Sequence, residues 1–329
     1  MSPRFLAGLL VAATALGQAA HAAWLQREQP IMGTRCVVEL WSDDAARGEA
    51  AIAAVFTEFR RIDAAMSTYK PESELSRLNA TAAQAPMSIS RELYDLLATS
   101  IEYSRLTRGA FDVTYASVGY LYDYRNHVHP DEAAIRDRLP SIDYRHIELI
   151  PGRSAVRYRR EGVRIDLGGI AKGHAVDRGI AVLQGLGVTR AMVNAGGDTR
   201  IIGDRFGRPW VVGIRHPDRK DEVVLRLPLT DTAISTSGDY ERYFEDENGV
   251  RYHHILDPKT GRSASKVRSV SIIAATSTRA DALTKSVFIM GAEEGIRFID
   301  TLPDVDAIAI TPQGKVLYSK GLAPPKPQG

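Results

Sequence analysis

Cysteine and an excess of either charge are what this 329-residue chain lacks. Its one cysteine, Cys36, excludes an internal disulfide framework, a CxxC redox centre and a cysteine-ligated zinc site. The 42 lysine and arginine residues face 40 aspartate and glutamate residues, so the net charge is +2. A charge so near zero argues against nucleic-acid coating or a polybasic membrane patch as the main function. The chemistry must come from carboxylates, hydroxyls, histidine, lysine and backbone amides.

Long apolar runs are also missing. An uncharged run over residues 5–16 follows Arg4 and precedes small residues, which is the plan of a secretory signal peptide. A membrane span needs roughly 20 apolar residues, and this run is shorter. We therefore predict that residues 1–22 are a cleaved signal peptide and that the mature protein is soluble and periplasmic. Because no cysteine follows the run, the sequence excludes an acyl-cysteine lipid anchor.

The mature chain mixes strands and helices irregularly, which predicts an α+β fold rather than a doubly wound parallel sheet. We expect one domain over residues 23–320 and a disordered Pro/Gly-rich tail at 321–329. Periodicity predicts helices that begin at Asp43 or Asp44 and at Ser90, and others over 131–138, 170–186, 278–290 and 292–301. It predicts strands over 32–40, 147–150, 155–159, 163–167, 190–194, 210–215, 223–227, 269–275, 306–310 and 315–319, and a polar loop over 71–80.

The densest chemical signal is the segment 164–173. A predicted strand ends at Asp166, a Gly-Gly pair forms the turn, and Lys172 stands in the first turn of the next helix. Free amides and the positive end of a helix suit a phosphate group. Neither the Walker A loop nor the GxGxxG fingerprint is present, so both of these nucleotide motifs are excluded. A tight turn with a solvated lysine is the alternative interpretation.

Two further segments carry polar side chains at turns. Asn194–Asp198 contains a Gly-Gly pair between predicted strands, so a plain β-hairpin is a strong alternative to a functional site. The adjacent His253 and His254 precede an Asp-Pro turn. Neighbouring strand residues face opposite sides, so at most one of the two histidines enters a given site.

One face of a predicted helix carries Asp281, Thr284 and Lys285, at spacings i, i+3 and i+4. A carboxylate and a hydroxyl placed in this way are the hard oxygen ligands that Mg²⁺ takes. In the alternative interpretation the acid suits the helix dipole and pairs with Lys285.

Two short motifs in the sequence are also found in a different class of enzyme. Ser67–Lys70 spells S-x-x-K and Lys259–Gly261 spells K-T-G, in the order used by penicillin-recognising serine enzymes. Pro71 biases Lys70 away from the helical conformation that would bring it to the serine. Because no S-D-N is present either, the sequence argues against acyl transfer.

Taken together, these segments resemble the ApbE family of flavin transferases. The matching pieces keep the family's order from about residue 31 to 290: Met32-Gly-Thr, Ser67-Thr-Tyr69, Ala110-Phe-Asp-Val-Thr114, Asp166-Leu-Gly-Gly-Ile-Ala-Lys-Gly173, Asn194-Ala-Gly-Gly-Asp198, Ser235-Thr-Ser-Gly-Asp-Tyr240, His254-Ile-Leu-Asp-Pro-Lys-Thr-Gly261 and Ala280-Asp-Ala-Leu283. Each piece alone is weak, whereas eight in order are specific.

The resemblance implies an exported enzyme that transfers FMN from FAD to a Thr or Ser hydroxyl of an acceptor protein and releases AMP. It implies FAD contacts from Met32, Tyr69, Ala110, Phe111, Asp112, Asp166, Lys172 and Ile255, and metal ligation by the Gly169 carbonyl and the Asp281 side chain. We choose His254 as the acid–base residue, because a neutral imidazole can accept the acceptor hydroxyl's proton. Plausible acceptors by analogy are subunits of Rnf-type or Nqr-type complexes and a NosR-like membrane flavoprotein.

The sequence departs from the family at the helix that usually reads Asp-Ala-x-Ala-Thr. Here it reads Asp281-Ala-Leu-Thr-Lys285, so a lysine stands where the second side-chain metal ligand is expected. An ammonium cannot ligate Mg²⁺. We expect Mg²⁺ dependence to be retained, with Thr284 supplying the hydroxyl; the alternative is that Lys285 places its charge near the phosphates or pairs with Asp281. A metal-dependent FAD pyrophosphatase and a non-catalytic exported flavin-binding protein are the other functions that the sequence leaves open.

Overall fold

The computed structural model describes residues 22–219 and 222–322. The helices are α1 Ala45–Met66, α2 Glu74–Thr81, α3 Arg91–Leu106, α4 Ala116–Gly119, α5 Glu132–Arg138, α6 Ala171–Gly185, α7 Ser277–Met290 and α8 Ala292–Ile299. The strands are β1 Ala23–Ile31, β2 Thr34–Ser42, β3 Met87–Ser88, β4 Ile147–Ile150, β5 Ala155–Tyr158, β6 Ala191–Ala195, β7 Asp198–Ile202, β8 Trp210–Arg215, β9 Val223–Leu229, β10 Ala233–Gly238, β11 Tyr243–Glu245, β12 Arg251–His253, β13 Leu256–Asp257, β14 Arg262–Ser263, β15 Ser269–Ala274, β16 Val305–Ile310 and β17 Val316–Tyr318. Residues 1–21 of the predicted signal peptide and 323–329 of the predicted tail lie outside the described residues.

The centre of the fold is an eight-stranded sheet in the order β1-β2-β6-β7-β10-β15-β16-β17. Every neighbouring pair in it is antiparallel. Helices α1 and α6 pack on β2 and β6, and α7 and α8 pack on β10, β15 and β16. The mixture of one antiparallel sheet with helices inserted between its strands confirms the predicted α+β class.

Three apolar clusters hold these layers together. One lies between α1, α3, α6 and the strands β2 and β6, and a second lies between α7, α8 and the strands β15 and β16. The third covers the sheet with the β8–β9 hairpin, through Trp210, Ile214, Leu227 and Leu229. Since the sheet is buried by helices on one side and by this hairpin on the other, its strand termini and the loops near α6 and α7 are the places where a ligand has access.

The helices that the sequence predicts begin at or close to their predicted residues. The Asp44 side chain accepts hydrogen bonds from the amides of Ala46 and Arg47 at the start of α1, and the Ser90 side chain accepts one from Leu93 at the start of α3. The bounds of helices α5 to α8 lie within two residues of their predicted positions. None of the helices in the described ranges has the length and hydrophobicity that crossing a membrane requires.

Three local predictions are wrong. The strand predicted from Met32 begins at Thr34, because Met32 and Gly33 adopt positive φ angles of 55° and 67° and form the β1–β2 turn. The segment predicted as a polar loop contains α2, which Ser73 caps and which buries Leu75 and Leu78. A helix that starts after Pro71 is not interrupted by it.

The third error is the strand predicted over residues 163–167. Val163, Ile165 and Leu167 are buried, so the alternation that suggested a strand is real. The backbone of Ile165, however, exchanges both of its hydrogen bonds with the Asn79 amide, and the Arg164 N–H donates to Ser117. The segment is therefore anchored by side chains instead of by a sheet.

Candidate active site

Asp166 anchors the loop that precedes α6. Its Oδ1 accepts from the Tyr115 hydroxyl at 3.0 Å and from the Gly168 N–H at 2.6 Å, and its Oδ2 accepts from the Thr68 hydroxyl at 3.0 Å. The contact with Thr68 fixes the loop that carries Tyr69, whose side chain is 86% exposed. This carboxylate therefore holds an exposed aromatic ring beside the Gly-Gly turn.

Four charged side chains meet at the start of α6, and we call Lys172, Asp198, Asp281 and Lys285 the charge cluster. The Lys172 Nζ lies 2.9 Å from Asp198 Oδ2 and 3.7 Å from Asp281 Oδ2, and it also donates to the Gly168 carbonyl at 3.2 Å. The Lys285 Nζ donates to Asp281 Oδ1. Both acidic side chains are buried, and the cluster contains two basic and two acidic side chains.

The charges of the cluster determine its protonation. Burial raises the pKa of Asp281, but Lys172 and Lys285 outweigh it and hold that pKa below its ordinary value. Burial lowers the pKa of Lys172, but Asp198 and Asp281 outweigh it, so that lysine's pKa is raised. Asp198 has a raised pKa because of burial and the neighbouring Asp281. Lys172 and Asp281 are therefore both charged at neutral pH.

Helices α6 and α7 approach closely at Gly173. Its N–H belongs to the first turn of α6, where amides have no partner within the helix, and it donates to Asp281 Oδ2 at 3.0 Å. A Cβ atom built on Gly173 would lie 2.4 Å from the Ser277 carbonyl oxygen and 2.8 Å from the Asp281 Cβ. Only glycine permits this approach, which brings the Asp281 carboxylate of α7 to the positive end of α6.

The two adjacent histidines differ in their surroundings. His253 is 3% exposed, its Nε2 bonds to the Ala264 carbonyl at 2.6 Å, and its Nδ1 accepts from the Ile255 N–H at 3.3 Å. His254 is only partly buried, and its Nδ1 lies 3.4 Å from the Arg242 carbonyl oxygen. As predicted, the pair does not share one environment, and His254 is the histidine that a ligand can reach.

The ionisation of His254 follows from its neighbours. Burial, the adjacent His253 and the charges of Arg242 and Lys285 lower the pKa of His254 to about 3. Its imidazole is therefore neutral at pH 7. If Nδ1–H donates to the Arg242 carbonyl, Nε2 is the nitrogen with a free lone pair.

Arg242 joins His254 to the turn at Met32. The guanidinium donates to the Gly33 carbonyl at 3.0 Å, while the backbone carbonyl of Arg242 accepts the His254 N–H at 3.3 Å. Beside this turn lies a surface cleft of about 440 Å³, whose lining includes Met32, Arg60 and Asp63. Arg242 therefore connects the turn and the histidine, and its charge also acts to lower the pKa of Lys172 in the charge cluster.

The remaining predicted FAD contacts are mostly buried. Ala110, Phe111 and Ile255 are at most 8% exposed, and the Phe111 ring lies 3.3 Å from a Cβ built on Gly169. Asp112 Oδ1 accepts from the amide and hydroxyl of Thr114, and its Oδ2 accepts from the Tyr144 N–H. The Asp112 side chain thus anchors its own loop, and Phe111 provides apolar surface next to the Gly-Gly turn.

Sequence reasoning did not select Asp198, Ser235 or Arg242 for the site. Asp198 directly follows the predicted Gly-Gly turn, and that turn does form the β6–β7 hairpin, with Asp198 paired opposite Ala195. Ser235 donates to Asp198 Oδ1. Asp198 and Ser235 stand in motifs that the sequence displays, whereas nothing in the sequence singles out Arg242.

The two predicted side-chain metal ligands, Asp281 and Thr284, are engaged in contacts within the protein. Thr284 Oγ1 donates to the Asp281 carbonyl at 2.7 Å and shares a 2.9 Å hydrogen bond with the Ser237 hydroxyl. Within residues 22–219 and 222–322, no group of three or more His, Cys, Asp or Glu side chains is arranged to hold a metal ion. Fixed ammonium groups at the start of a helix suit a phosphorylated ligand.

Known proteins share this fold and sequence. The model of the ApbE family matches residues 32–309. An FAD:protein FMN transferase of Treponema pallidum is 35% identical over 315 residues, covering 90% of this chain and 87% of that protein. One of Klebsiella pneumoniae is 30% identical over 293 residues, covering 88% of this chain and 90% of that protein.

Solved structures agree with these relatives. The ApbE protein of Thermotoga maritima superposes with a TM-score of 0.84 at 33% identity, covering 91% of this chain and 98% of that one. The flavin transferase ApbE of Vibrio cholerae gives a TM-score of 0.81 at 30% identity, with coverages of 91% and 98%. The chain therefore belongs to the ApbE family, which confirms the resemblance found in its sequence.

Proposed function

We propose that this protein is an FAD:protein FMN transferase, which moves FMN from FAD to a Thr or Ser hydroxyl of an acceptor protein and releases AMP. One observation carries the proposal: the fixed ammonium groups of the charge cluster lie at the start of α6, next to the loop that holds the exposed Tyr69 ring. A pyrophosphate flanked by flat ring systems has the matching chemistry, because ammonium groups bind phosphate and aromatic faces stack on rings. The names of the relatives support the same substrate.

The reaction is a phosphoryl transfer, in which positioning and charge neutralisation supply most of the catalysis. The acceptor oxygen attacks the phosphorus of the FMN half, a new phosphoester bond forms, the pyrophosphate P–O bond to AMP breaks, and AMP leaves with the bond electrons. Lys172, fixed by Asp198, stabilises the negative charge that develops on the phosphates.

His254 is the proposed acceptor of the hydroxyl proton. Its imidazole is neutral before the reaction, so it has a lone pair to offer. The low pKa makes it a weak base in the free protein, and a bound pyrophosphate nearby raises the pKa because negative charge favours the imidazolium. Met32, Ala110, Phe111, Asp112 and Ile255 form the proposed walls around FAD, with Tyr69 and Asp166 at its edge.

The resemblance implies a Mg²⁺ site at Gly169 and Asp281, to which the helix spacing adds Thr284, and the contacts of the Asp281 and Thr284 side chains do not fit such a site. Asp281 Oδ1 holds the Lys285 ammonium, Asp281 Oδ2 accepts the Gly173 N–H, and the Thr284 hydroxyl is committed to a carbonyl and to Ser237. Mg²⁺ requires oxygen atoms at about 2.1 Å that are free to face it. The proposed mechanism of FMN transfer therefore includes no metal ion.

The cellular setting is part of the proposal. The composition of residues 1–22 supports a cleaved signal peptide and a periplasmic enzyme, built as one domain over 23–320 with a tail at 321–329. Subunits of Rnf-type or Nqr-type complexes and a NosR-like flavoprotein are the acceptors we propose by analogy.

Incubation of the purified protein with FAD, with and without a candidate acceptor subunit, tests the activity. Mass spectrometry of the acceptor should show covalent FMN on a Thr or Ser, and AMP should appear in equal amount. AMP and free FMN without an acceptor would instead indicate a pyrophosphatase, in which water replaces the hydroxyl. FAD binding without either product would indicate a flavin-binding protein.

A further inference from the structure

Lys285 lies between the two residues that the family resemblance implies as metal ligands. It follows Asp281 by one turn of α7, so both side chains share a helix face, and its Nζ donates to Asp281 Oδ1. Its stem runs along the Gly-Gly turn: a Cβ built on Gly169 would lie 3.5 Å from the Lys285 Cγ and 3.8 Å from its Cε. The lysine side chain therefore fills the space between Gly169 and Asp281.

Both oxygen atoms of the Asp281 carboxylate beside Lys285 are engaged. Asp281 Oδ1 bonds to Lys285, Asp281 Oδ2 accepts the Gly173 N–H at 3.0 Å, and Lys172 Nζ lies 3.7 Å from the same oxygen. A divalent cation bound to this carboxylate would lie against two ammonium groups, and repulsion between like charges at such short range is strong in a buried site. The donor set thus suits an ammonium and disfavours a metal ion.

The charge count leads to the same conclusion. Without Lys285, the two buried acidic side chains, Asp198 and Asp281, would face Lys172 alone where a pyrophosphate has to bind. Lys285 adds a second basic side chain against these two acids, which is a task that a metal ion would otherwise perform. Lysine is also a common partner of phosphate, as a compact point charge.

We propose that the Lys285 ammonium replaces the divalent cation in this chain, so that FAD binding and FMN transfer need no metal ion. This inference rests on the proposed function for its substrate. The metal-binding property itself can be measured without FAD.

Mn²⁺ is the probe for cation binding at this site, since electron paramagnetic resonance distinguishes free from bound Mn²⁺. The full chain in metal-free buffer should bind no Mn²⁺ at this site. The Lys285→Thr variant, which restores an oxygen ligand and removes the ammonium, should bind one Mn²⁺. The exposed Lys315→Thr is the matched control and should behave as the wild type. Equal Mn²⁺ binding by the wild type and Lys285→Thr would overturn the proposal.

FAD affinity gives a second readout on the same proteins. The wild type should bind FAD equally well in EDTA and in Mg²⁺. Lys285→Thr should lose at least about tenfold in EDTA, the effect of one charge-assisted contact, and should recover affinity on addition of Mg²⁺. A wild type that binds FAD only when Mg²⁺ is present would refute the inference. If instead the Mn²⁺ difference is found but no acceptor ever receives FMN, the proposed function fails while the replacement of the metal ion stands.

Discussion

The close approach of α6 and α7 makes Gly173→Ala the sharpest structural test of the site. The added methyl would lie 2.4 Å from the Ser277 carbonyl oxygen and 2.7 Å from its carbon, and backbone atoms cannot rotate away. Restoring an ordinary contact requires α7 to move by about 1 Å, because comfortable Cβ contacts begin near 3.4 Å. The movement would stretch the hydrogen bond from Gly173 to Asp281 and open the charge cluster.

The size of the effect follows from two opposing terms. Overpacking a core costs about 1–3 kcal/mol, and exchanging glycine for alanine in a helix returns up to about 1 kcal/mol. We expect Gly173→Ala to lower the free energy of unfolding by about 1–2 kcal/mol. Gly185, in the same helix, is a matched control, since a Cβ there meets nothing within 4 Å and alanine should stabilise the protein slightly.

Urea unfolding followed by tryptophan fluorescence measures the loss of stability, and FAD titration of the folded proteins measures the effect on the charge cluster. Gly173→Ala should lose stability and FAD affinity together, whereas Gly185→Ala should lose neither. If both variants unfold at the same urea concentration and bind FAD equally, the close packing at Gly173 does not control the charge cluster and our reasoning about it is wrong.

Three more predictions concern single side chains. Lys172→Ala should weaken FAD binding in calorimetry and cost about 3–5 kcal/mol in urea unfolding, because it leaves Asp198 and Asp281 buried without their shared partner. His254→Ala should slow FMN transfer by about a hundred-fold or more while keeping FAD affinity. His253→Ala should lower the melting temperature and leave the transfer rate per folded molecule unchanged. Identical behaviour of the two variants would contradict the assignment of His254 as the base. Burial lowers the pKa of His253 from 6.5 to about 4. Between these two pH values the unfolded state binds more protons than the folded state, so the free energy of unfolding should fall by about 3 kcal/mol as the pH drops from 6.5 to 4. Urea unfolding at pH 7 and pH 4 checks the sign, and unchanged stability would contradict it.

The sequence predicts the helices better than the sheet, for a physical reason. Caps such as Asp44 and Ser90 act within one turn, so the local sequence contains them. Strands β1 and β10 escaped prediction because their residues do not alternate. Strand β1 is an exposed edge with a proline near its end, and β10, Ala-Ile-Ser-Thr-Ser-Gly, has the composition of a loop. Its position between β7 and β15 buries Ser235 and Ser237, so tertiary context overrides propensity.

The charge cluster shows where local sequence stops being informative. Lys172 and Asp281 are 109 positions apart, and their meeting depends on the packing of α6 against α7 at Gly173. The spacing of Asp281, Thr284 and Lys285 allowed either an ion pair between Asp281 and Lys285 or a metal site at Asp281 and Thr284. The structure favours the ion pair, since the Lys285 stem lies along the Gly-Gly turn and its ammonium donates to Asp281 Oδ1. In this proposal, the contact between Lys285 and Asp281 determines whether the site uses an ammonium group or a metal ion. A substitution of Lys285 should therefore change the chemistry of the site without changing the fold around it.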